Sequence, residues 1–286
     1  MQSIEDRISG QYSQLSERLK QAADFVVDHE IDVATHSLRT VSAMAGLAPS
    51  TFTRLSQALG FASYEEMRDV CRARMGRQAL SFSERASLLV RNGADDGARS
   101  FFEQQSSASL ENLGRMERDL NQERLVDVVE QLNSARQVLL FGAFSSTGFM
   151  EYFGYLARYF ADNWKVIGRM GASLSSAMVG LNDKDVVVVL TMAPYARRAI
   201  VAAEMAADAG AYVLVITDDI ACPALSRASA SFIVPTESPQ FFSSYAATLV
   251  LIETIVGMLV ARAGDSARAR IEEVENRNRQ YGEFWD

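Results

Sequence analysis

A chain of 286 residues is long enough for two domains at roughly 100–200 residues each. Its 48% hydrophobic and 22% charged residues exclude wholesale disorder, and 36 acidic against 28 basic side chains leave a net charge of −8 that, taken alone, speaks against a nucleic-acid binder. Cys71 and Cys222 lie far apart without ligand spacing and read as reduced thiols of a cytoplasmic protein, while His29 and His36 lack the partners a metal site needs, so neither metal nor cofactor is expected.

The polar start MQSIEDRISGQYSQ has no apolar core and predicts no secretory signal. Leu15, Leu19, Ala22, Ala23, Val26 and Val27 recur at helical spacing and predict an amphipathic helix. A compact pattern follows over 38–61, then a helix over about 64–75 capped by Ser63, with Glu65 and Glu66 in its first turn. Residues 76–134 read as a polar, helix-prone connector. Leu88, Leu89 and Val90, then Leu110, Leu113 and Met116, give it partial apolar faces, and Asn-Gly-Ala-Asp-Asp-Gly at 92–97 breaks it. Leu125, Val128, Val129 and Leu132 make one more amphipathic set.

From residue 137 short apolar runs alternate with helical patterns. The runs are VLLF at 138–141, VVVVL at 186–190, VLVI at 213–216 and FIV at 232–234; the helical patterns cover 148–160, 197–209 and 241–263. Continuous apolar strands alternating with helices predict a parallel sheet covered on both faces. The apolar stretch 245–263 contains Glu253 and Arg262 and reads as a buried or interface helix rather than a membrane span. The fold class is therefore an all-α N-terminal domain followed by an α/β domain with a parallel sheet flanked by helices. The expected boundaries are 1–77, a connector over 78–134, the α/β domain over 135–264, and a charged helix or tail over 265–286.

Residues 39–61 carry a more specific pattern. Val41 and Met44 give a short first helix an apolar face, Gly46 supplies the positive φ of a tight interhelical turn, Leu47 plugs the gap, and Pro49 suits the first turn of a second helix. Phe52, Leu55 and Leu59 share that helix's buried face. Ser50, Thr51, Thr53, Arg54 and Gln57 fall largely elsewhere, near the helix start, where a recognition helix reaches base edges and phosphates; Arg39, Thr40 and Pro49 complete the candidate DNA-binding set. Residues 1–77 hold nine basic and ten acidic side chains, so the acidity belongs mainly to the rest of the chain. Arg39, Arg54, Arg68, Arg72, Arg74 and Arg77 can form a local basic stripe. The segment VSAMAGLAPSTFTRLSQALGFASYEEM, 41–67, resembles the N-terminal domain of the RpiR family of bacterial transcriptional regulators, most specifically at Leu-Gly-Phe 59–61, Tyr64 and the Thr51/Arg54 pair, with Ala48 where that family usually has serine.

The second half offers an anion site. The strand ending in Gly142 runs through Ala143 and Phe144 to Ser145, Ser146 and Thr147 at a helix start, where free N–H groups and the helix dipole favour anions. The next strands end in Thr191 and, further on, Tyr195, Arg197 and Arg198, and in Thr217 and Asp218; polar residues at three strand ends make a crevice at the carboxyl edge of the sheet. Arginines gain nothing from the dipole in the first turn of a helix, which favours an anion-clamping role for at least one of Arg197 and Arg198. Residues 137–263 resemble a SIS (sugar isomerase) domain, the usual C-terminal partner of the RpiR-type helix-turn-helix. Gly142 and Ser146 match its GxGxS loop and Phe144 replaces the second glycine. Thr191 stands for the first serine of its SxSGxTxE loop, from which Ala193, Pro194, Ala196 and Arg198 depart in favour of a PYxRxT-like variant. Residues 235–244 resemble the regulator subgroup, which adds Ser243 to the ligand set.

These resemblances imply a regulator that is not an enzyme, with double-stranded DNA carrying a palindromic operator, a small effector such as a phosphorylated sugar or sugar acid, and a second copy of itself (in a homodimer or tetramer) as partners, and no membrane. The alternatives are a sugar-phosphate isomerase with Glu237 as general base, and a SIS fold serving only as a dimerisation scaffold.

Overall fold

The computed structural model describes residues 4–29, 32–33, 36–68, 70–71, 81–92, 98–169 and 173–285. The chain divides into two compact units, Met1–Leu88 and Leu89–Asp286. Of the expected break at 92–97, Asn92 ends a helix and 93–97 lie outside the described residues, as do the arginines Arg72, Arg74 and Arg77.

The first unit is helical. Helices α1 (Ile4–Gln11) and α2 (Glu17–Asp28) precede α3 (Leu38–Ala45) and α4 (Pro49–Ala58), and residues 64–68 are helical again. The Ser37 hydroxyl caps α3 by accepting the Thr40 N–H at 3.3 Å. Gly46, at φ +65°, ends it, and Leu47 N–H returns to the Ser42 carbonyl at 3.0 Å. Ser63 accepts the Glu66 N–H while Glu66 accepts the Ala62 N–H, a variant of the reciprocal capping box that starts the next helical turn. The core gathers Phe52, Leu55 and Leu59 with Val26, Val41 and Tyr64, and the Phe52 ring meets those of Phe25 and Tyr64 edge-on at 6.1 and 6.4 Å.

Two side chains expected on apolar faces turn outward. Met44 is 48% exposed because the inward stripe of α3 runs through Leu38, Val41, Ser42 and Ala45. Val27 is 40% exposed, one position off the stripe that ends at Val26. Thr51, expected on the outer surface of α4, is buried beside Phe52.

Helix α5 (Phe82–Asn92) spans the division between the units. The second unit continues with α6 (Ala98–Asp119) and α7 (Gln122–Ser134), the latter capped by Asn121. Then β1 (Gln137–Gly142), α8 (Ser146–Ala157), β2 (Trp164–Val166), α9 (Leu174–Met178), β3 (Asp185–Leu190), α10 (Arg197–Asp208), β4 (Tyr212–Thr217), β5 (Ala230–Ile233), α11 (Ala246–Ala263) and α12 (Asp265–Gln280) follow. All strand pairs are parallel in the order β2-β1-β3-β4-β5.

Strand alternation divides the core into two layers. Val138, Leu140, Val186, Val188, Leu214 and Ile216 face α7, α8 and α11; Leu139, Phe141, Val187, Val189, Val213 and Val215 face α9 and α10. Helix α10 presents Ala199, Ala202, Ala203 and Ala206 to the sheet, and Gly154 of α8 leaves room for Val166, whose Cγ2 an added Cβ would approach to 2.8 Å. The β1 and β3 amino ends are joined by Arg136, whose guanidinium donates to both carboxylate oxygens of the fully buried Asp185 at 2.8 and 2.5 Å. Burial pushes the Asp185 carboxyl up, but the bonds from Arg136, the Asn182 N–H and Gln137 outweigh it and hold the group below the ordinary carboxylate value.

Helix α11 is long and apolar enough to cross a membrane by length and composition, with mean hydropathy 1.8, yet Leu251, Ile252, Ile255 and Leu259 lie in the core layer with α7 and α8. It begins at Ala246 rather than near Phe241, because the Ser244 N–H bonds to the Thr236 carbonyl at 3.0 Å and keeps 241–245 in a closed loop. Strand β2, with no counterpart in the expected strands, is three residues with one buried.

Candidate functional site

In an open parallel sheet, ligands meet the carboxyl ends of the strands where the strand order reverses, here between β1 and β3. Register pairs Gly142 with Leu190, Leu190 with Ile216 and Thr217 with Ile233, so the loops after β1, β3 and β4 leave the sheet side by side. Gly142, Ser145, Ser146, Thr147, Thr191, Tyr195, Arg197, Arg198, Thr217 and Asp218 are thus brought to one edge, and Ser243 lies in the loop after β5 that returns to it.

The β1–α8 loop needs Gly142 because an added Cβ would sit 2.4 Å from the Ser146 carbonyl oxygen. Phe144 holds φ +54° and is 83% exposed, so it keeps a left-handed backbone where the SIS-type loop has its second glycine. The three hydroxyls expected to meet a ligand have partners within the protein. Thr147 donates to the Gly142 carbonyl at 2.9 Å, and Ser145 and Ser146 both bond the Tyr245 hydroxyl, at 2.9 and 3.0 Å. The Tyr245 ring stacks on Phe149, 4.3 Å between centroids and 7° from parallel.

At the next strand ends Asp218 accepts the Ala193 N–H at 3.2 Å through both oxygens and the Thr217 hydroxyl at 3.4 Å. Burial raises its carboxyl above the ordinary value, and burial, followed by the Asp218 charge, raises the Tyr195 phenol strongly. That N–H is therefore turned to an internal carboxylate. Thr191 and Thr217 are buried, at 3% and 0% exposure, and support the loops more than they line them. Arg197 and Arg198 are exposed on the first turn of α10, with the Arg198 guanidinium 5.9 Å from the Phe141 ring centre.

Tyr245 is the residue sequence reasoning missed. Its only signal was a phenol heading an otherwise apolar stretch. The loop it ends is also held from α6: fully buried Asn112 donates to the Glu237 carbonyl at 2.8 Å and accepts the Glu237 N–H at 3.2 Å.

In the first unit α3, the Gly46 turn and α4 form a bihelical unit. Pro49, Ser50, Arg54 and Gln57 are exposed on α4, with Thr53 half-buried and donating to the Pro49 carbonyl; Arg39 and Thr40 are exposed at the start of α3. Thr51 is excluded from this surface by its burial.

Residues 131–258 match the SIS domain family, and the second unit contains a SIS domain with a five-stranded parallel sheet flanked by helices. No curated protein sequence matches the chain. Among solved structures, the sugar isomerase domain of an RpiR transcription factor from Sphaerobacter thermophilus is similar at 20% identity and TM-score 0.57, over 60% of this chain and 97% of that one. The Vibrio vulnificus NanR protein complexed with ManNAc-6P is similar at 16% identity and TM-score 0.58, over 98% of this chain and 99% of that one. These likenesses concern the fold. Phosphoheptose isomerase GmhA from Neisseria gonorrhoeae aligns at 12% identity and TM-score 0.48, over 58% of this chain and 100% of that one, a weaker match that carries no weight on function.

Proposed function

We propose that the chain is a ligand-responsive, cytoplasmic DNA-binding regulator of the RpiR type, acting as a homo-oligomer on a palindromic operator, with its SIS domain sensing a phosphorylated sugar or sugar acid. The observation that carries this reading is the joining of two features in one chain. A helix–glycine–helix unit turns Ser50, Arg54 and Gln57 outward at the start of its second helix, and a SIS domain follows it. Exposed hydroxyl, amide and guanidinium groups at the start of such a helix suit base edges and phosphates.

The domain layout of the reading is a DNA-binding part over 1–77, a connector over 78–134, the sensor over 135–264 and a charged C-terminal helix. The sensor's anion contacts are assigned to the Ser145–Thr147 loop and to Arg197 and Arg198, with Tyr195 and Ser243 lining the crevice. A palindrome fits two recognition helices about 34 Å apart, so a ligand that changes their separation changes affinity. NanR having been solved with a hexosamine phosphate supports testing that ligand class.

Fluorescence anisotropy with DNA from upstream of the gene tests the reading: specific, salt-sensitive binding supports it, and binding indifferent to sequence sinks it. An isomerase would have to work without a histidine in this unit, since both histidines precede residue 37. Turnover of ketose or aldose phosphates that Glu237→Gln abolishes would overturn the regulator assignment.

A further inference from the structure

The hydroxyls of the β1–α8 loop are connected to helix α6 by a short series of hydrogen bonds joined through chain neighbours. Ser145 and Ser146 both bond the Tyr245 hydroxyl, which can donate to one and accept from the other. Next to Tyr245, the Ser244 N–H bonds the Thr236 carbonyl at 3.0 Å, closing the neck of the 236–244 loop. Next to Thr236, both backbone groups of Glu237 are held by the Asn112 side chain, which is fully buried on α6. Ser238 adds a second tie, donating to Gln105 Oε1 at 3.4 Å. The loop is therefore fixed at its neck and, at one flank, to helix α6.

We infer that Tyr245 and Asn112 are the two ends of a coupler: the Tyr245 hydroxyl holds the serine pair until a ligand oxygen takes it, and the change at Tyr245 reaches α6 through the Ser244–Thr236 neck and Asn112. This rests on the sensor reading above and adds the route of its signal. Two features suit the neck to the task. It is short in bonds, and its groups are buried or half-buried, so water competes poorly for them. Coupling through a contiguous network is a claim about energies, and it is decided by whether a change at one end is felt at the other.

Hydrogen–deuterium exchange on the full chain makes that measurement without any ligand. Tyr245→Phe removes one oxygen and keeps the ring on Phe149. It is expected to raise exchange at least threefold in peptides covering 104–113 of α6, as well as in the 142–149 loop, with β3 and α10 unchanged. Ser145→Ala with Ser146→Ala removes the same bonds from the other side and should give the same increase in α6. The triple variant should add nothing further, the non-additivity expected of groups in one network. Asn112→Ala, if it folds, is expected to raise exchange over 142–149. Exchange changes confined to 142–149 and 243–249 in the Tyr245 and serine variants, or additive effects in the triple variant, would overturn the coupler.

N-acetylmannosamine 6-phosphate added to wild type serves as the probe for the sensor reading. Protection at 142–149 accompanied by altered exchange at 104–113 supports both claims, and protection at 142–149 without change in α6 contradicts the coupler. No protection over 142–149 by this probe or by other sugar phosphates counts against phosphosugar sensing, while the variant comparison still decides the coupler.

Discussion

Arg136 and Asp185 show how unequal the halves of one ion pair can be. Asp185 is fully buried and Arg136 about half exposed, so removing the arginine strands a charge that water cannot reach, whereas removing the carboxylate frees a guanidinium that can hydrate. Arg136→Ala should therefore lower stability more than Asp185→Asn does, measured by urea unfolding. The folded Asp185 carboxyl lies below its unfolded value, so the pair stabilises fully above the unfolded value near 3.9 and loses that contribution as pH falls through the folded one. The stability gap between wild type and Asp185→Asn should narrow as pH falls below the unfolded value near 3.9; a gap unchanged between pH 7 and pH 2 would refute the assignment. Two residues of the β1–α8 loop make opposite predictions. Gly142→Ala drives a Cβ into the Ser146 carbonyl and should cost about 2 kcal/mol in the same assay. Phe144→Gly relieves a left-handed phenylalanine that is 83% exposed and should raise stability by up to about 1 kcal/mol; a marked loss would mean that Phe144 is held by a contact rather than tolerated.

At the scale of elements, the α3–Gly46–α4 pair and the central strands were legible because each carries redundant local signals. Gly46 marks the turn, Pro49 the start of α4, and Phe52, Leu55 and Leu59 its inner face. Four continuous apolar runs announced β1, β3, β4 and β5. Strand β2 escaped because Trp-Lys-Val is short and pairs only with β1. Helix α11 starts later than its pattern suggests because Phe241 and Phe242 have helical spacing to the apolar residues after Tyr245, while the bond that excludes them from the helix comes from Thr236, eight residues before Ser244. The Tyr245 contacts, about a hundred residues away in sequence, leave no local trace. Thr51 belongs with these: its hydroxyl near the helix start and the resemblance of the Thr51/Arg54 pair made it a candidate DNA contact, and the helix phase turned it inward. Arg54→Ala should weaken operator binding at least about tenfold, the value of a phosphate or base contact, whereas Thr51→Val should change it less than threefold. Equal losses would mean that the outer face of α4 is not the reading surface.

For the whole molecule, the net charge of −8 conceals a near-neutral first unit and a more acidic remainder, so overall charge was a poor guide to partners. A SIS domain alone is compatible with catalysis, sensing or assembly, and fold does not choose among them. The proposed regulator reading rests on the helical unit that precedes that domain. The most direct test is an anisotropy titration of the full chain on its upstream DNA, run against a scrambled duplex and repeated with saturating sugar phosphates. The account predicts at least about 10³-fold tighter binding to the specific duplex and a shift of about fivefold or more with one sugar phosphate. Equal affinity for the two duplexes would contradict it.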